Sequence, residues 1–416
     1  MPKHILVICQ YFYPEQFRIN DICRELVGRG HRVTVVTGIP NYPQGKFYPG
    51  YGLFKKRRES WNGIEIIRIP LIPRGKSSVG MVLNYLSFVV SGFFWKLFAN
   101  IKADCVFNFE TSPMTQALVS VWYAKKKKIP HYIYVQDLWP ENVQTVLGIN
   151  SKLIIGPISR MVNYIYKHSK NIFVTSESFR EAVGERVEDK SKVLYLPQYA
   201  EDFYKPCQAT ASPEEPPLFR VIFTGNIGYA QGLDILPRAA RLLRKEGHTD
   251  VRFVLVGDGR CKSKLLEEIE ASGVSELFTM VGRIPAEEVP SVLAQADAAF
   301  ISFMDTPLFE KTIPAKLQSY LACGMPILAS ASGETKRIVD EAACGICCPL
   351  GDEEALVRAI LRLKRGDELP TMAQNALRYS ERHFNKNHML DLLENKLCGK
   401  DEATEALPAA TTESVG

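Results

Sequence analysis

Two stretches of this 416-residue chain have residue types and spacings suited to holding an anion. In FTGNIGYAQGLD, residues 223–234, Gly225 and Gly228 would let the backbone approach a ligand closely. A helix starting beyond Gly232 would aim its free N–H groups and its positive dipole end at an anion. Phosphate-holding turns often carry a Lys or Arg, but Asn226 and Gln231 occupy those places here. In EKTIPAKLQSYLACG, residues 310–324, Pro314 marks a helix start and Lys316 falls in the first turn. A cation there opposes the helix dipole unless an anion shares the terminus. Lys316 is therefore the first candidate to neutralise a pyrophosphate over the Gly turn, with Arg283 of GRIP as the second. The competing readings are a ligand-free strand-to-helix turn and a solvated lysine. No G-x-G-x-x-G dinucleotide fingerprint occurs.

Carboxylates form the second set. Asp137, in VQDLWP, follows the apolar run HYIYV and precedes a Trp-Pro turn. It could bond a sugar hydroxyl, stabilise a cationic transition state, or simply cap the turn. Glu15 and Arg18, in YFYPEQFR, could bind an acceptor or pair with each other one helical turn apart. No Asp-x-Asp triplet occurs, so chemistry without a bound metal or other cofactor is expected. The ten cysteines are scattered, and CGICC (344–348) has no second pair to complete a zinc site. Buried strand cysteines are the expectation. The opening Met-Pro-Lys-His runs straight into a strand pattern, so no cleavable leader is expected, and the protein reads as cytoplasmic.

These residues need elements to position them. Short apolar runs at 5–9, 33–37, 64–69, 104–109, 131–135 and 171–175 alternate with helical patterns at 16–29, 79–100, 112–127 and 153–167. The Pro- and acid-rich segment 206–217 reads as a linker. The alternation then restarts, with strands at 219–224, 251–256, 277–281, 297–302, 326–330 and 345–348. Helical stretches between them include 233–246, 260–272, 314–323 and 352–365, and two more, 370–380 and 383–397, follow. The fold class is α/β, with two doubly wound parallel sheets. The expected domains are 1–200 and 201–380, then a closing helix to 398 and a disordered tail, 399–416.

Ligands of such sheets bind beyond the carboxyl ends of the strands. In the first half those ends carry Tyr13, Glu15, Arg18, Asn41 and Tyr42, types that suit sugars. In the second half they are Gly-rich, with Gly225, Gly228, Gly257 and Asp258, and suit phosphate or a nucleobase.

Charge divides the chain. Residues 1–200 hold 27 Lys/Arg against 14 Asp/Glu, and residues 201–416 hold 24 against 32, balances of +13 and −8. The first half should meet an anionic surface or ligand. Residues 79–95 carry no charge, with Asn84, Ser87 and Ser91 on one helical face. This suits a packed or interfacial helix more than a lipid-spanning one. With KKRR (55–58) and KKKK (125–128) nearby, contact with an anionic membrane surface is expected; the plain alternative is a core helix beside solvated lysines.

Together, ELVGRGHRVTVVTG (25–38), VQDLWPE (135–141), LVGDG (255–259), MVGRIP (280–285) and YLACGMPILAS (320–330) resemble family 4 glycosyltransferases of the GT-B fold. The resemblance spans about residues 4–397. In YFYPEQFRINDI (11–22), GIPNYPQGKFYPGY (38–51), VQDLWPE and IPAKLQSYLACG (313–324) it is nearest the L-fucosamine-transferase-like branch of bacterial surface polysaccharide synthesis, such as O-antigen or capsule. It implies two Rossmann-like domains facing across a cleft, with C-terminal helices packing back. It also implies a retaining, metal-independent transfer from a nucleotide-sugar, most often UDP-linked. The donor would sit on the second domain and the acceptor on the first.

By position, Gly225 and Gly228 match the diphosphate loop, and Arg283 and Ile284 match the nucleobase segment. Asp137 stands where many relatives carry a His beside the donor sugar. The chain departs from the pattern at Asn226 and Gln231, which stand where the family has Arg and Lys. It departs again at the usual Glu pair, which corresponds to Lys311 or Glu310 and to Ser319. The expected acceptor is polyprenyl-diphosphate-linked or a glycan, at the inner face of the cytoplasmic membrane, and no nucleic acid is expected as a partner. A nucleotide-sugar 2-epimerase and a non-catalytic subunit of the same architecture remain the alternatives.

Overall fold

The structure is a computed structural model describing residues 1–75, 77–208 and 218–400. Most of the expected linker (209–217) and the tail from 401 lie outside the described residues. The chain forms two compact units, one of Met1–Leu196 together with the chain from Asn387 on, the other of Pro197–Lys386.

In the first unit eight strands form one sheet: β1 (His4–Ile8), β2 (Arg32–Thr37), β3 (Arg58–Trp61), β4 (Ile64–Arg68), β5 (Cys105–Glu110), β6 (His131–Val135), β7 (Asn171–Val174) and β8 (Val193–Tyr195). Their order is β3-β4-β2-β1-β5-β6-β7-β8. Both β5 and β6 are buried along their whole length, as strands covered on both faces must be, which is why they read as mainly apolar runs. Two strands were not expected. The antiparallel edge strand β3, RESW, is polar and half-exposed, and β8 has only three residues. β3 offers no apolar run, VLY of β8 is too short to stand out as one, and β3 makes the sheet mixed rather than purely parallel.

The second unit holds β9 (Phe219–Asn226), β10 (Val251–Asp258), β11 (Phe278–Gly282), β12 (Ala298–Ser302), β13 (Ile327–Ser330) and β14 (Gly345–Cys348). All pair in parallel, in the order β11-β10-β9-β12-β13-β14. The strand order reverses between β9 and β12, so the site-bearing loops follow the strands that flank a switch point. In the first unit the reversal falls between β1 and β5. Cys344 and Cys348 are buried around β14, and Cys347 is half-buried beside the Ala331 carbonyl.

The last helix, Lys386–Cys398, packs on the first unit from Asn387 onward. It buries Leu390, Leu393 and Leu397. Arg29 holds Glu394 at 2.8 Å, and His31 Nε2 lies 3.2 Å from the same carboxylate. Cys398 Sγ lies 3.9 Å from that nitrogen. This His-Glu-Cys trio has the composition of a metal site, but the Lys3 N–H donates to His31 Nδ1. The proton must then sit on Nε2, facing Glu394, so the trio reads as a clasp for the helix.

The Ser78–Phe98 helix carries apolar residues on both its inner and its outer side. Asn84 is fully buried, and its amide donates to Ile72 O at 2.6 Å. The Asn84 Oδ1 accepts from Gln10 Nε2 at 2.7 Å, and the Ser87 hydroxyl accepts from Ile72 N at 2.9 Å. Asn84 therefore faces the domain together with Met81, Phe88 and Gly92, and a second row of apolar residues faces out.

Candidate active site

In the second unit the Gly-rich ends of β9 and β10 are built by contact. Both strands run two residues beyond their apolar cores, so β9 continues through Gly225 and Asn226 rather than stopping at Thr224. Gly257 pairs with Gly225 across the sheet; its φ is +143°, and a Cβ there would fall 1.8 Å from the Gly225 carbonyl oxygen. Only glycine fits. A Cβ on Gly259 would meet the Ile227 carbonyl oxygen at 2.3 Å. Asp258 caps its own turn, accepting from Gly259 N at 2.8 Å.

The chain does not pass directly from this turn into a helix. A short 3-10 turn, Tyr229–Gln231, intervenes, Gly232 takes a left-handed conformation, and the helix begins at Ile235. The turn is fastened to the end of β12 by Ser302 Oγ on the Gln231 carbonyl and by Met304 N on the Ala230 carbonyl at 3.1 Å.

Lys316 meets this turn from the Ala315–Ala322 helix, whose N-cap is Pro314. Its Nζ donates to Gln231 Oε1 and lies 3.8 Å from the centre of the Phe223 ring. A Cβ on Gly225 would stand 3.8 Å from the same Nζ. One turn on, Tyr320 receives the Thr224 N–H on its hydroxyl at 2.8 Å, which fixes the helix against β9. Enclosure of the ammonium, with a neutral amide as its hydrogen-bond partner, pushes the Lys316 pKa down to about 7, although the rest of the side chain keeps some exposure. The solvated-lysine reading does not describe this side chain. The structure brings together Lys316, Gln231 and Gly225, residues up to 91 positions apart in the chain (316 − 225).

The other donor-side candidates are less engaged. Asn226 and Arg283 are exposed, and Gly228 and Ile284 are partly buried. Ile284 packs against the core. Glu310 is exposed and accepts from the Ser332 hydroxyl at 3.4 Å. Ser319 is buried and turns its hydroxyl onto Ala315 O of its own helix at 3.3 Å.

In the first unit Asp137 caps no turn of its own; its Oδ2 accepts from the Ser112 N–H at 2.8 Å, tying the loop after β6 to the loop after β5. Burial raises its pKa, and the Ser112 bond works against that shift. Beside it lies Glu110, a residue that sequence reading passed over. Glu110 ends β5 fully buried, with the backbone N–H groups of Gln136 and Asp137 beside its carboxylate. Burial, with the Asp137 charge nearby, holds it well above the usual carboxylate range, against the pull of the backbone N–H groups of Asp137 and Gln136. The signal was a lone acid closing the run CVFNFE.

The acceptor-side residues form a brace. Glu15 Oε1 accepts from Asn41 N at 2.8 Å and from Tyr42 N at 2.7 Å, joining the loop after β1 to the loop after β2. Its carboxyl is 2% exposed, and burial pushes its pKa up to about 7. Asn41 is spent on Ile39 O and Arg74 N. Tyr13 stacks on Trp61 with ring centres 4.5 Å apart, and Tyr42 packs against Tyr11 and Phe17. Tyr13, Tyr42 and Arg18 remain partly exposed.

Residues 16–198 match the glycosyl transferase 4-like domain, and residues 208–379 match the glycosyl transferases group 1 family. WcaI of Escherichia coli, described as a colanic acid biosynthesis glycosyl transferase, is 25% identical over 425 aligned positions, covering 95% of this chain and all of that protein. Among solved structures, the sucrose-phosphate synthase of Thermosynechococcus elongatus superposes with a TM-score of 0.71 at 15% identity, covering 96% of this chain and 99% of that one. HepE of Anabaena, solved with UDP, superposes with a TM-score of 0.67 at 14% identity, covering 95% and 100%. Two family matches that tile the chain, on two Rossmann-like units, identify it as a GT-B glycosyltransferase of group 1 with a family 4-like N-terminal domain.

Proposed function

We propose that this glycosyltransferase moves a sugar from a UDP-sugar to a polyprenyl-diphosphate-linked or glycan acceptor in bacterial surface polysaccharide synthesis. The transfer proceeds with retention and without a metal. The polysaccharide setting draws on the full-length similarity to WcaI, the acceptor class on the basic first half and its apolar helix, and the uridine nucleotide on the UDP complex of HepE.

One observation carries the donor reading. The Lys316 ammonium rests on Gln231, in the loop where relatives carry their own cation, beside the Gly225 backbone. A diphosphate on this turn would meet backbone N–H groups and one lysine. As the bond from the sugar C1 to the diphosphate oxygen breaks, Lys316 stabilises the charge on the leaving oxygen. The acceptor hydroxyl forms its bond to C1 on the same face and gives its proton to the departing diphosphate. Asp137, held by Ser112, is the first unit's candidate carboxylate for an acceptor hydroxyl or for the positive charge that develops at C1. Arg283 is a second, exposed cation for the diphosphate, and Ile284 borders the base.

Thermal stabilisation by UDP, GDP, ADP and NAD, with and without Mg²⁺, tests the reading. A metal-independent rise in melting temperature with UDP supports it. A rise with GDP alone would overturn the choice of base. No rise with any nucleotide would leave the turn without a ligand and favour a non-catalytic subunit.

A further inference from the structure

The Ser78–Phe98 helix has 21 residues and spans about 31 Å. Its outward residues Val79, Val82, Leu83, Leu86, Val90, Phe94 and Leu97 follow helical spacing, and each is 45% exposed or more. Phe98, at its end, is 86% exposed. A helix facing only water buries such a stripe and exposes its polar side. Here the inward face is already made of Met81, Asn84, Phe88 and Gly92, so the helix carries a second apolar row that the domain does not cover.

The inner side also fixes how the helix sits. The inner side is bound to the domain through Asn84 and through Gly92, where a Cβ would fall 2.4 Å from Val119 of the Gln116–Lys127 helix. A helix held along its length to a folded domain can lie on a bilayer but cannot cross one.

The charges around it select among partners. No acid occurs from 79 to 98. At the C-terminal end Lys126 Nζ bonds the Lys96 carbonyl at 2.6 Å and the Leu97 carbonyl at 2.8 Å, and Lys127 bonds Asn100 at 2.6 Å. Lys125 and Lys128 are exposed beside them. An apolar face with lysines at one end is complementary to acyl chains under anionic headgroups.

We infer that this outer face lies in the interfacial layer of an anionic bilayer, with the lysines at the end of the helix among the headgroups. The inference deepens the lipid-linked acceptor reading and rests on it. Its consequence follows from the inner side. Asn84 bonds Gln10, and the Asn41 side chain bonds Arg74 N in the segment before the helix. The loops braced by Glu15 are thereby hydrogen-bonded to the docked element, so an acceptor presented from the membrane arrives beside them.

Flotation of the full chain with phosphatidylcholine vesicles, with and without phosphatidylglycerol, tests this. The wild type should float with the anionic vesicles at low salt. Leu86→Glu combined with Phe94→Glu should abolish flotation. Lys125→Gln and Lys128→Gln should each weaken it about fivefold. Both pairs are exposed, and an unchanged circular dichroism melt checks that the variants fold; Leu86→Ser with Phe94→Ser serves if the charged pair does not. Failure of the wild type to float, or undiminished flotation of the apolar-face variants, would overturn the inference. So would a wild-type dimer in sedimentation that Leu86→Glu splits, since a second copy would then cover the face. UDP stabilisation measured in parallel reads the donor site separately, so loss of one reading is distinguishable from loss of the other.

Discussion

Lys316 is the residue on which the donor chemistry turns. Its ammonium leans on a neutral amide and an aromatic ring, so it is under-neutralised until an anion arrives. Lys316→Ala should weaken UDP binding about 10- to 100-fold, the worth of a charge-assisted hydrogen bond, and leave uridine binding nearly unchanged. Calorimetric titration with both ligands checks this, and equal losses would remove the phosphate role. Because its pKa is pushed down to about 7, the charged form becomes scarce above that pH. UDP affinity should therefore fall as pH rises from 7 toward 9, and the fall should vanish in Lys316→Ala. In the empty protein the sign is opposite. The unfolded chain binds more protons between about 7 and the ordinary lysine range, so this residue's contribution to stability rises with pH there.

Glu15 titrates the other way. Its pKa is raised to about 7, so the stability linked to it is full below the ordinary carboxylate range and is lost as pH climbs to about 7. Glu15→Gln keeps an acceptor for Asn41 N and Tyr42 N and should flatten the pH dependence of chemical denaturation in that window. Glu15→Ala leaves two N–H groups without their partner and should cost about 1–3 kcal/mol for each group left buried and unsatisfied.

At the scale of elements, the paired ends of β9 and β10 are the tightest backbone contact at the site. Gly257→Ala would press a methyl group against the Gly225 carbonyl in a conformation that side chains resist. The strands must part, so UDP binding should be lost together with a marked drop in melting temperature. Gly247→Ala makes a useful comparison, since its added Cβ meets nothing within 4 Å although its φ is also positive. The final helix makes a second test. Ending the chain after Lys386 removes the buried Leu390, Leu393 and Leu397 from the first unit and leaves Arg29 without its carboxylate. That truncation should destabilise the first unit by several kcal/mol, at about 1.5–3 kcal/mol for each buried side chain. Ending it after Lys400 should cost almost nothing. Denaturant titration of the two truncations separates these outcomes.

For the whole molecule, two units with separate cores imply two unfolding transitions. Scanning calorimetry should resolve them, and UDP should raise the one belonging to residues 197–386. A UDP-induced shift confined to the other transition would move the donor site to the first unit. The charge balance belongs to this scale as well. The basic excess of residues 1–200 accompanies the apolar helix face and the lysines at its end, while the acidic excess accompanies the nucleotide-binding candidate. A net acidic domain can still hold a diphosphate, because the local field is set by Lys316 and the turn backbone rather than by the domain total.

What the sequence by itself determined is the part governed by local rules. Twelve strands, the main helices, the restart of the pattern and the Gly-rich second half follow from apolar period and turn residues within short windows. The polar strand β3 and the three-residue β8 escaped because they bury too little to leave a pattern. Lys316 and the Gly turn were both legible as chemistry, and so was Asp137. Their partners were partly so. Nothing local says that Glu15 serves the backbone at 41 and 42, that Glu110 stands buried beside Asp137, that Asn84 faces inward, or that the last helix returns to the first unit. Each of these depends on residues far apart in the chain meeting in space. Periodicity names the faces of an element, whereas only packing decides which face meets protein and which is left for something else.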